Sequence, residues 1–192
     1  VSQTNNNPAL QGGLNYTIAP FGLYAYAFGS NVDFKTSNDK KAATEIDTTL
    51  GIKNDINDNL SYDVALQRYN YPGAHYANYN EVYGSFTYYF LTALIAYSGN
   101  EFNSHTNGLY SNLSAEYTLP CNIVKIPDVS ISAGIGHFTL QSAAGKSYND
   151  FSIQISKSIK PVTFALQWTD TNHHYSHNDL DKSHLIASLT LD

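Results

Sequence analysis

The sequence predicts an all-β fold, a transmembrane antiparallel up-and-down β-barrel that forms a single domain over residues 1–192. Three observations lead to this fold class. Apolar and polar residues alternate with a period of two along most of the chain, which indicates strands with one apolar face. The connections between these strands are short and long in turn, as in outer-membrane barrels. Charged residues make up only 14% of the chain, against about 25% in soluble domains.

The alternation predicts about eleven strands in this chain. In chain order they cover 10–18, 21–32, 45–53, 60–67, 81–90, 91–102, 110–119, 129–136, 150–158, 162–169 and 184–191. The segments 21–32 and 91–102 look like strands but alternate poorly. In the other nine, one face is apolar, and we expect it to contact lipid. Its central residues are Leu14, Leu50, Val64, Phe86, Leu113, Ile131, Ile153, Leu166 and Leu189.

The connections predict which end of the barrel faces the cell exterior. Short connections fall at 19–20, 55–59, 90–91, 120–127 and 158–161, of which 120–127 is the longest. Long polar connections fall at 33–43, 72–79, 99–108, 141–148 and 170–181. Outer-membrane barrels have short periplasmic turns and long extracellular loops. A soluble β-sandwich, the alternative fold, has no reason to lengthen every second loop.

The strand count predicts one further strand. Bacterial barrels of this class have an even number of strands, with both termini in the periplasm. Eleven strands would put Val1 at the extracellular end and Asp192 at the periplasmic end. We therefore expect a strand N-terminal to Val1 that pairs with 184–191 and brings the total to about twelve. A misjudged weak strand is the competing explanation. Because Met is absent even at position 1, we also expect a secretory signal to have been removed.

Composition excludes several classes of protein. No segment approaches the roughly 18 consecutive apolar residues of a membrane-spanning helix. The net charge is −6 and Arg68 is the single arginine, so the chain lacks the clustered cations that bind nucleic acid. Cys121 is alone, which excludes an internal disulfide and a thiolate zinc cluster.

Several segments resemble a known family. The similar segments are Val1–Thr4, Asn7–Tyr16, Gly22–Ala25, Ser30–Phe34, Glu45–Asp47 with Gly51, Tyr69–Gly73, Asn80–Tyr83 and Tyr148–Phe151. Together they resemble the TorF family of porin-like bacterial outer-membrane proteins, the Gcw_chp type. The resemblance implies an outer-membrane barrel with a pore and names no substrate. The family's aromatic strand ending in Arg-Gly before Val1 is missing here, and the chain ends at Leu191-Asp192 rather than at an aromatic residue.

Polar residues on the face opposite the apolar one are the predicted pore lining. They are Glu45, Asp47, Asp63, Glu81, Tyr83, Glu116, Asp150 and Gln154. Rings of carboxylates bias a pore toward cations. The leading interpretation is a porin for passive diffusion of small polar, cationic solutes across the outer membrane. The alternative is an occluded structural or interaction barrel without channel activity, because about twelve strands leave a narrow lumen. The sequence leaves this choice open, together with partner proteins and oligomeric state.

Catalytic and metal chemistry receive little support from the sequence. No Gly-x-Ser-x-Gly or phosphate-binding glycine motif is present, so we expect a protein that is not an enzyme and needs no cofactor. Ser188 and His184 are four residues apart on one strand, about 13 Å, which is too far to form a hydrogen bond. His173, His174 and His177 in the last long loop are weak metal-ligand candidates. The expected partners are outer-membrane lipid, lipopolysaccharide and small polar solutes.

Nine of the 16 tyrosines fall into two predicted groups of aromatic residues. Aromatic side chains concentrate at membrane–water boundaries, where the ring is half buried and its polar atom is hydrated. We expect Tyr88, Phe90, Tyr97, Tyr117 and Trp168 to form such a girdle. We expect Tyr24, Tyr26, Tyr69, Tyr71, Tyr83 and Tyr110 to line the interior or the loops.

Overall fold

The computed structural model describes residues 3–18, 21–35, 41–121, 125–172 and 182–191. These residues form one sheet of eleven antiparallel strands in which each strand pairs with its neighbours in sequence. The strands are β1 Gln11–Ile18, β2 Leu23–Lys35, β3 Lys41–Asn57, β4 Leu60–Asn70, β5 Tyr79–Tyr88, β6 Leu91–Ser98, β7 Gly108–Leu119, β8 Val129–Leu140, β9 Tyr148–Ile159, β10 Val162–Thr171 and β11 His184–Leu191. All eleven predicted strands are confirmed, and a single continuous sheet excludes the sandwich alternative.

Two ends of the sheet follow from the connections. The turn end carries the tight connections Asp58–Asn59, Tyr89–Phe90 and Lys160–Pro161. The long-loop end carries 71–78, 99–107 and 141–147, and two short 3₁₀ helices form there, His75–Ala77 and Glu101–Asn103. The predicted connection 33–43 was too long, because β2 continues to Lys35 and β3 begins at Lys41. Strand pairing extends the hairpin there because Val32 and Ala42 pack into a buried cluster.

Exposure separates the two faces of the sheet. The nine side chains predicted to face lipid are all exposed, between 43% for Ile131 and 81% for Leu14. The predicted girdle residues are exposed as well, from Trp168 at 38% to Tyr88 at 56%. Exposed apolar side chains on strand after strand form a continuous outer surface, which a soluble protein would not leave uncovered.

The opposite face is concave. The Tyr24 hydroxyl on β2 lies 2.7 Å from the Tyr83 hydroxyl on β5, three strands away. Only side chains that converge inside a curved sheet can meet across that separation. At the long-loop end, this interior holds the buried cluster Val32, Ala42, Tyr71, Ala74 and Tyr79. Within the described ranges, no helix has the length and hydropathy needed to cross a membrane.

β1 and β11 are the two edges of the sheet. Neither makes a ladder with the other among the described residues, and every residue of β1 is exposed on both faces. Since each adjacent pair is antiparallel, β1 and β11 run in the same direction.

Candidate functional site

Four carboxylates converge in the interior near the long-loop end, and we call Glu45, Asp47, Glu81 and Glu101 the mouth cluster. Register explains the convergence. Asp47 on β3 lies opposite Tyr69 on β4, and Tyr69 lies opposite Tyr79 on β5. Directly opposed side chains in antiparallel strands have Cβ atoms about 5 Å apart. Residues 45 and 47, and likewise 79 and 81, share the inner face because successive side chains alternate. The mouth cluster is therefore set by strand alternation, apart from Glu101.

Glu101 reaches the mouth cluster from the 3₁₀ helix in the 99–107 loop. Its side chain lies over Gly108 on β7, where an added Cβ would sit 2.6 Å from Glu101 Oε2. Only a glycine at position 108 leaves this space. Glu101 is 1% exposed, and burial, together with the nearby Glu81 carboxylate, raises its pKa from 4.5 to about 7. The nearby Ser98 side chain opposes this shift. The loop thus places an acid inside the protein that changes protonation near neutral pH.

The mouth cluster is poorly compensated. Glu45 and Asp47 are each 5% exposed. In the described part of the chain, Glu45 Oε2, Asp47 Oδ1 and both Glu101 carboxylate oxygens have no hydrogen-bond partner. No salt bridge within those ranges involves the cluster, and the one formed there joins Lys41 to Asp33. Burying unpaired carboxylates costs several kcal/mol per charge, so this arrangement is expensive for the fold. Buried polar groups that lack a partner and do not stabilise the fold are typical of functional sites.

Tyrosine hydroxyls supply part of the polar surroundings. The Tyr69 hydroxyl donates to Glu81 Oε1 at 3.3 Å. The Tyr71 hydroxyl faces Glu45, and burial and that carboxylate raise the tyrosine's pKa well above its usual range. The Tyr69 and Tyr79 rings stack with centroids 4.4 Å apart and planes 13° apart. The carboxylates therefore lie against an aromatic wall.

A chain of aromatic contacts begins at Tyr79, beside the mouth cluster. Tyr79 contacts Phe102 edge to face at 5.5 Å, and Phe102 contacts Phe138 at 6.1 Å. Phe138 also contacts Tyr110 and Tyr148, each at 5.7 Å. Edge-to-face pairs at these separations are individually favourable. These contacts, which we call the aromatic lid, tie the 99–107 loop to β8 and β9.

Further toward the turn end, a second polar network spans the interior. The Tyr24 hydroxyl donates to Asp63 Oδ1 at 2.9 Å and meets the Tyr83 hydroxyl. Gly51 makes room for the Tyr24 ring, because an added Cβ would lie 2.6 Å from it. Separately, near the long-loop end, the Tyr110 hydroxyl on β7 donates to Asp150 Oδ1 on β9 at 3.2 Å. These bonds fix tyrosine side chains on the inner face.

Most of the predicted pore-lining residues lie on the inner face of the sheet. Glu45, Asp47, Asp63, Glu81, Tyr83, Asp150 and Gln154 lie on the inner face, buried or partly buried. Glu116 follows the same face as Asn112 and Ser114 but is exposed near the turn end. Of these residues, the structure brings Glu45, Asp47 and Glu81 together. His173, His174 and His177 lie outside the described residues. Among those described, no group of three His, Cys, Asp or Glu side chains is arranged to hold a metal ion.

Sequence reasoning missed Glu101 and Tyr79. Tyr79 falls at the end of the predicted connection 72–79, but β5 begins there and continues the inward phase of Glu81. Extending that alternation by two residues would have found it. No sequence pattern indicates the position of Glu101, because it depends on a contact between the loop and Gly108 that no periodicity predicts.

Comparisons with solved structures support the barrel fold. The outer-membrane protein OpdK of Pseudomonas aeruginosa is 12% identical, with a TM-score of 0.51 over 94% of this chain and 56% of that chain. OpdK with vanillate gives the same identity and TM-score over 94% and 55%. P. aeruginosa OccD3 (OpdP) is 11% identical, with a TM-score of 0.48 over 93% and 55%. This chain spans little more than half the length of these proteins. The likeness to OpdK shows the fold of an outer-membrane β-barrel. A comparison with curated proteins gives no match.

The family model gives the broadest match. It covers residues 1–187 and is described as a bacterial protein of unknown function, Gcw_chp. The match carries that description and not the TorF name. On this coverage, the chain belongs to the Gcw_chp family.

Proposed function

We propose that this protein is an outer-membrane barrel through which small polar solutes, preferentially cations, diffuse passively. The exposed apolar face of every strand supports a lipid-embedded outer surface. Lipid and lipopolysaccharide are then its surroundings, and no catalytic role is assigned to it. The TorF resemblance and the barrel fold of the solved relatives are consistent with this function.

One observation carries the cation preference: the interior carboxylates have no paired Lys or Arg among the described residues. Glu45, Asp47 and Glu81 lie at about the same height along the barrel, near the long-loop end. A low-dielectric wall strengthens the field of such groups, which attracts cations and repels anions. Arg68, by contrast, points outward and donates to Asn80 Oδ1 at 3.1 Å.

Single-channel recording in a planar bilayer tests this function. We expect discrete conductance steps, and we expect Asp47→Asn to lower the cation conductance. The matched control is Asp58→Asn, which removes the same charge from an exposed turn outside the lumen. Equal conductance in both variants would refute a filter at Asp47.

We also propose that one further strand, N-terminal to Val1, lies between β1 and β11 and closes the barrel. Unpaired backbone groups at two sheet edges cannot be left in hydrocarbon, because each costs several kcal/mol. A strand antiparallel to both edges fits, since β1 and β11 run in the same direction. In this arrangement β1 and β11 are about 10 Å apart, beyond the reach of a disulfide.

Cysteine cross-linking tests the closure. Pairs such as Leu14→Cys with Ala187→Cys and Tyr16→Cys with Leu189→Cys would be made in a Cys121→Ser background. We expect no disulfide in any pair along the two strands. Rapid cross-linking of one register would show direct pairing of β1 with β11 and overturn the closing strand.

A second candidate function, an occluded barrel without channel activity, is favoured by the aromatic lid. Phe102 contacts Phe138 at the long-loop end, and the Tyr24–Tyr83 pair joins β2 to β5 inside the curved sheet. Barrels of this size leave little free lumen once side chains cross it. The same bilayer recording separates the candidates, because an occluded barrel gives no conductance steps.

A further inference from the structure

We propose that the mouth cluster binds the guanidinium group at the end of an organic solute. This inference deepens the proposed function, on which it rests, by naming the chemical class that the lumen recognises. Four carboxylates and two stacked tyrosine rings form the site.

The charges of the mouth cluster require a partner. Glu45, Asp47 and Glu101 are each at least nine-tenths buried, and each has an oxygen without a hydrogen-bond partner in the described ranges. These oxygens come from two parts of the chain that are distant in sequence, β3 and the 99–107 loop. A bound cation that donates to them would remove the cost of burying them unpaired.

The chemistry of the lining favours an organic cation over a metal ion. The described carboxylates do not assemble into a metal-holding group of three. Tyr69 and Tyr79 present a stacked aromatic wall beside Asp47 and Glu81. Planar guanidinium and ammonium groups are attracted to aromatic faces and donate to carboxylates at the same time. A hydrated divalent ion gains nothing from such a wall.

The 99–107 loop contributes directly to the site. Glu101 and Phe102 are adjacent, so one segment contributes both an acid to the site and a ring to the aromatic lid. Backbone strain concentrates there, with positive φ at Phe102, Asn103 and His105. Strained residues of this kind cluster at ligand clamps. A bound cation would hold the loop closed through Glu101.

Isothermal titration of the detergent-solubilised protein with L-arginine and L-citrulline tests the proposal. The two solutes are isosteric, and only arginine carries the guanidinium charge. We expect arginine to bind and citrulline not to bind. We expect Asp47→Asn and Glu45→Gln each to weaken arginine binding by about tenfold or more. Asp58→Asn, which removes a carboxylate from an exposed turn outside the lumen, should leave binding unchanged.

Two outcomes of the titration overturn the proposal. Equal binding of citrulline would show that the carboxylates do not recognise the guanidinium charge. Binding of CaCl2 without arginine would make the cluster a metal site. Resistance of the folded barrel to SDS at room temperature checks that each variant folds. If one of the two substitutions prevents folding, the other still tests the site. Channel recordings on the same preparations separate the two proposals: conductance without arginine binding overturns only the binding site, and binding without conductance overturns only the pore.

Discussion

Replacing Glu101 with Gln removes one titrating group from the mouth cluster while keeping its shape. Burial and the Glu81 carboxylate raise the pKa of Glu101 from 4.5 to about 7, so the folded loop holds a proton that the opened loop releases. Besides Glu81, the titratable groups that face Glu101 are Tyr79 and Tyr148. Closure of the 99–107 loop is therefore most stable below pH 4.5, and this stability is lost as pH rises through about 7.

The magnitude follows from the difference between the two pKa values. About 2.5 pH units, at 1.36 kcal/mol each, correspond to about 3 kcal/mol of loop-closure free energy. In Glu101→Gln this pH dependence should be absent, and above neutral pH the variant's loop should be more stable than that of the unmodified protein by up to this amount. At low pH the two proteins should be equal.

Hydrogen exchange of the 99–107 amides measures the opening free energy directly, once rates are corrected for the intrinsic effect of pH. We expect protection in the unmodified protein to fall between pH 4.5 and about pH 8, and protection in Glu101→Gln to stay constant. Glu116→Gln, with an exposed carboxylate, should behave like the unmodified protein. Constant protection in the unmodified protein, or the same fall in Glu101→Gln, would refute the reasoning.

Two further predictions concern the barrel wall. Gly51→Ala should displace the Tyr24 ring and destabilise the barrel by about 1–3 kcal/mol in urea titrations. Gly84→Ala should be near neutral, because its added Cβ meets Val64 Cγ2 at 3.9 Å and the Asp63 carbonyl oxygen at 4.0 Å, which are ordinary contacts. Equal midpoints would show that the tyrosine network adds no stability. Ile153→Arg on the outer face should cost about 2–4 kcal/mol in lipid vesicles. An unchanged midpoint there would mean that this face does not contact lipid.

The alternation of apolar and polar residues predicted most of the fold. Because this pattern is local, it explains both the correct and the wrong predictions. Leu50 and Ile153 could be placed on the outer face because every second residue of a strand shares a face, whatever the rest of the chain does. Strand ends were less certain: the predicted segment 91–102 stops at Ser98, because Glu101–Asn103 forms a 3₁₀ turn.

The candidate site was predicted only where it lies on strands. Glu45, Asp47 and Glu81 follow from their phase, but their proximity depends on the register of β3, β4 and β5, which no local pattern specifies. Glu101 enters the interior through a loop that folds back over Gly108. That contact is tertiary, so neither periodicity nor composition could indicate it.

Reversal potential across a planar bilayer with a KCl gradient tests the central claim most directly. An acidic interior without paired cations predicts a potential of the sign that K⁺ permeation gives, reduced when Asp47 and Glu45 are replaced by their amides. An anion-selective potential, or a barrel inserted in the bilayer that passes no current, would contradict a cation-preferring passage.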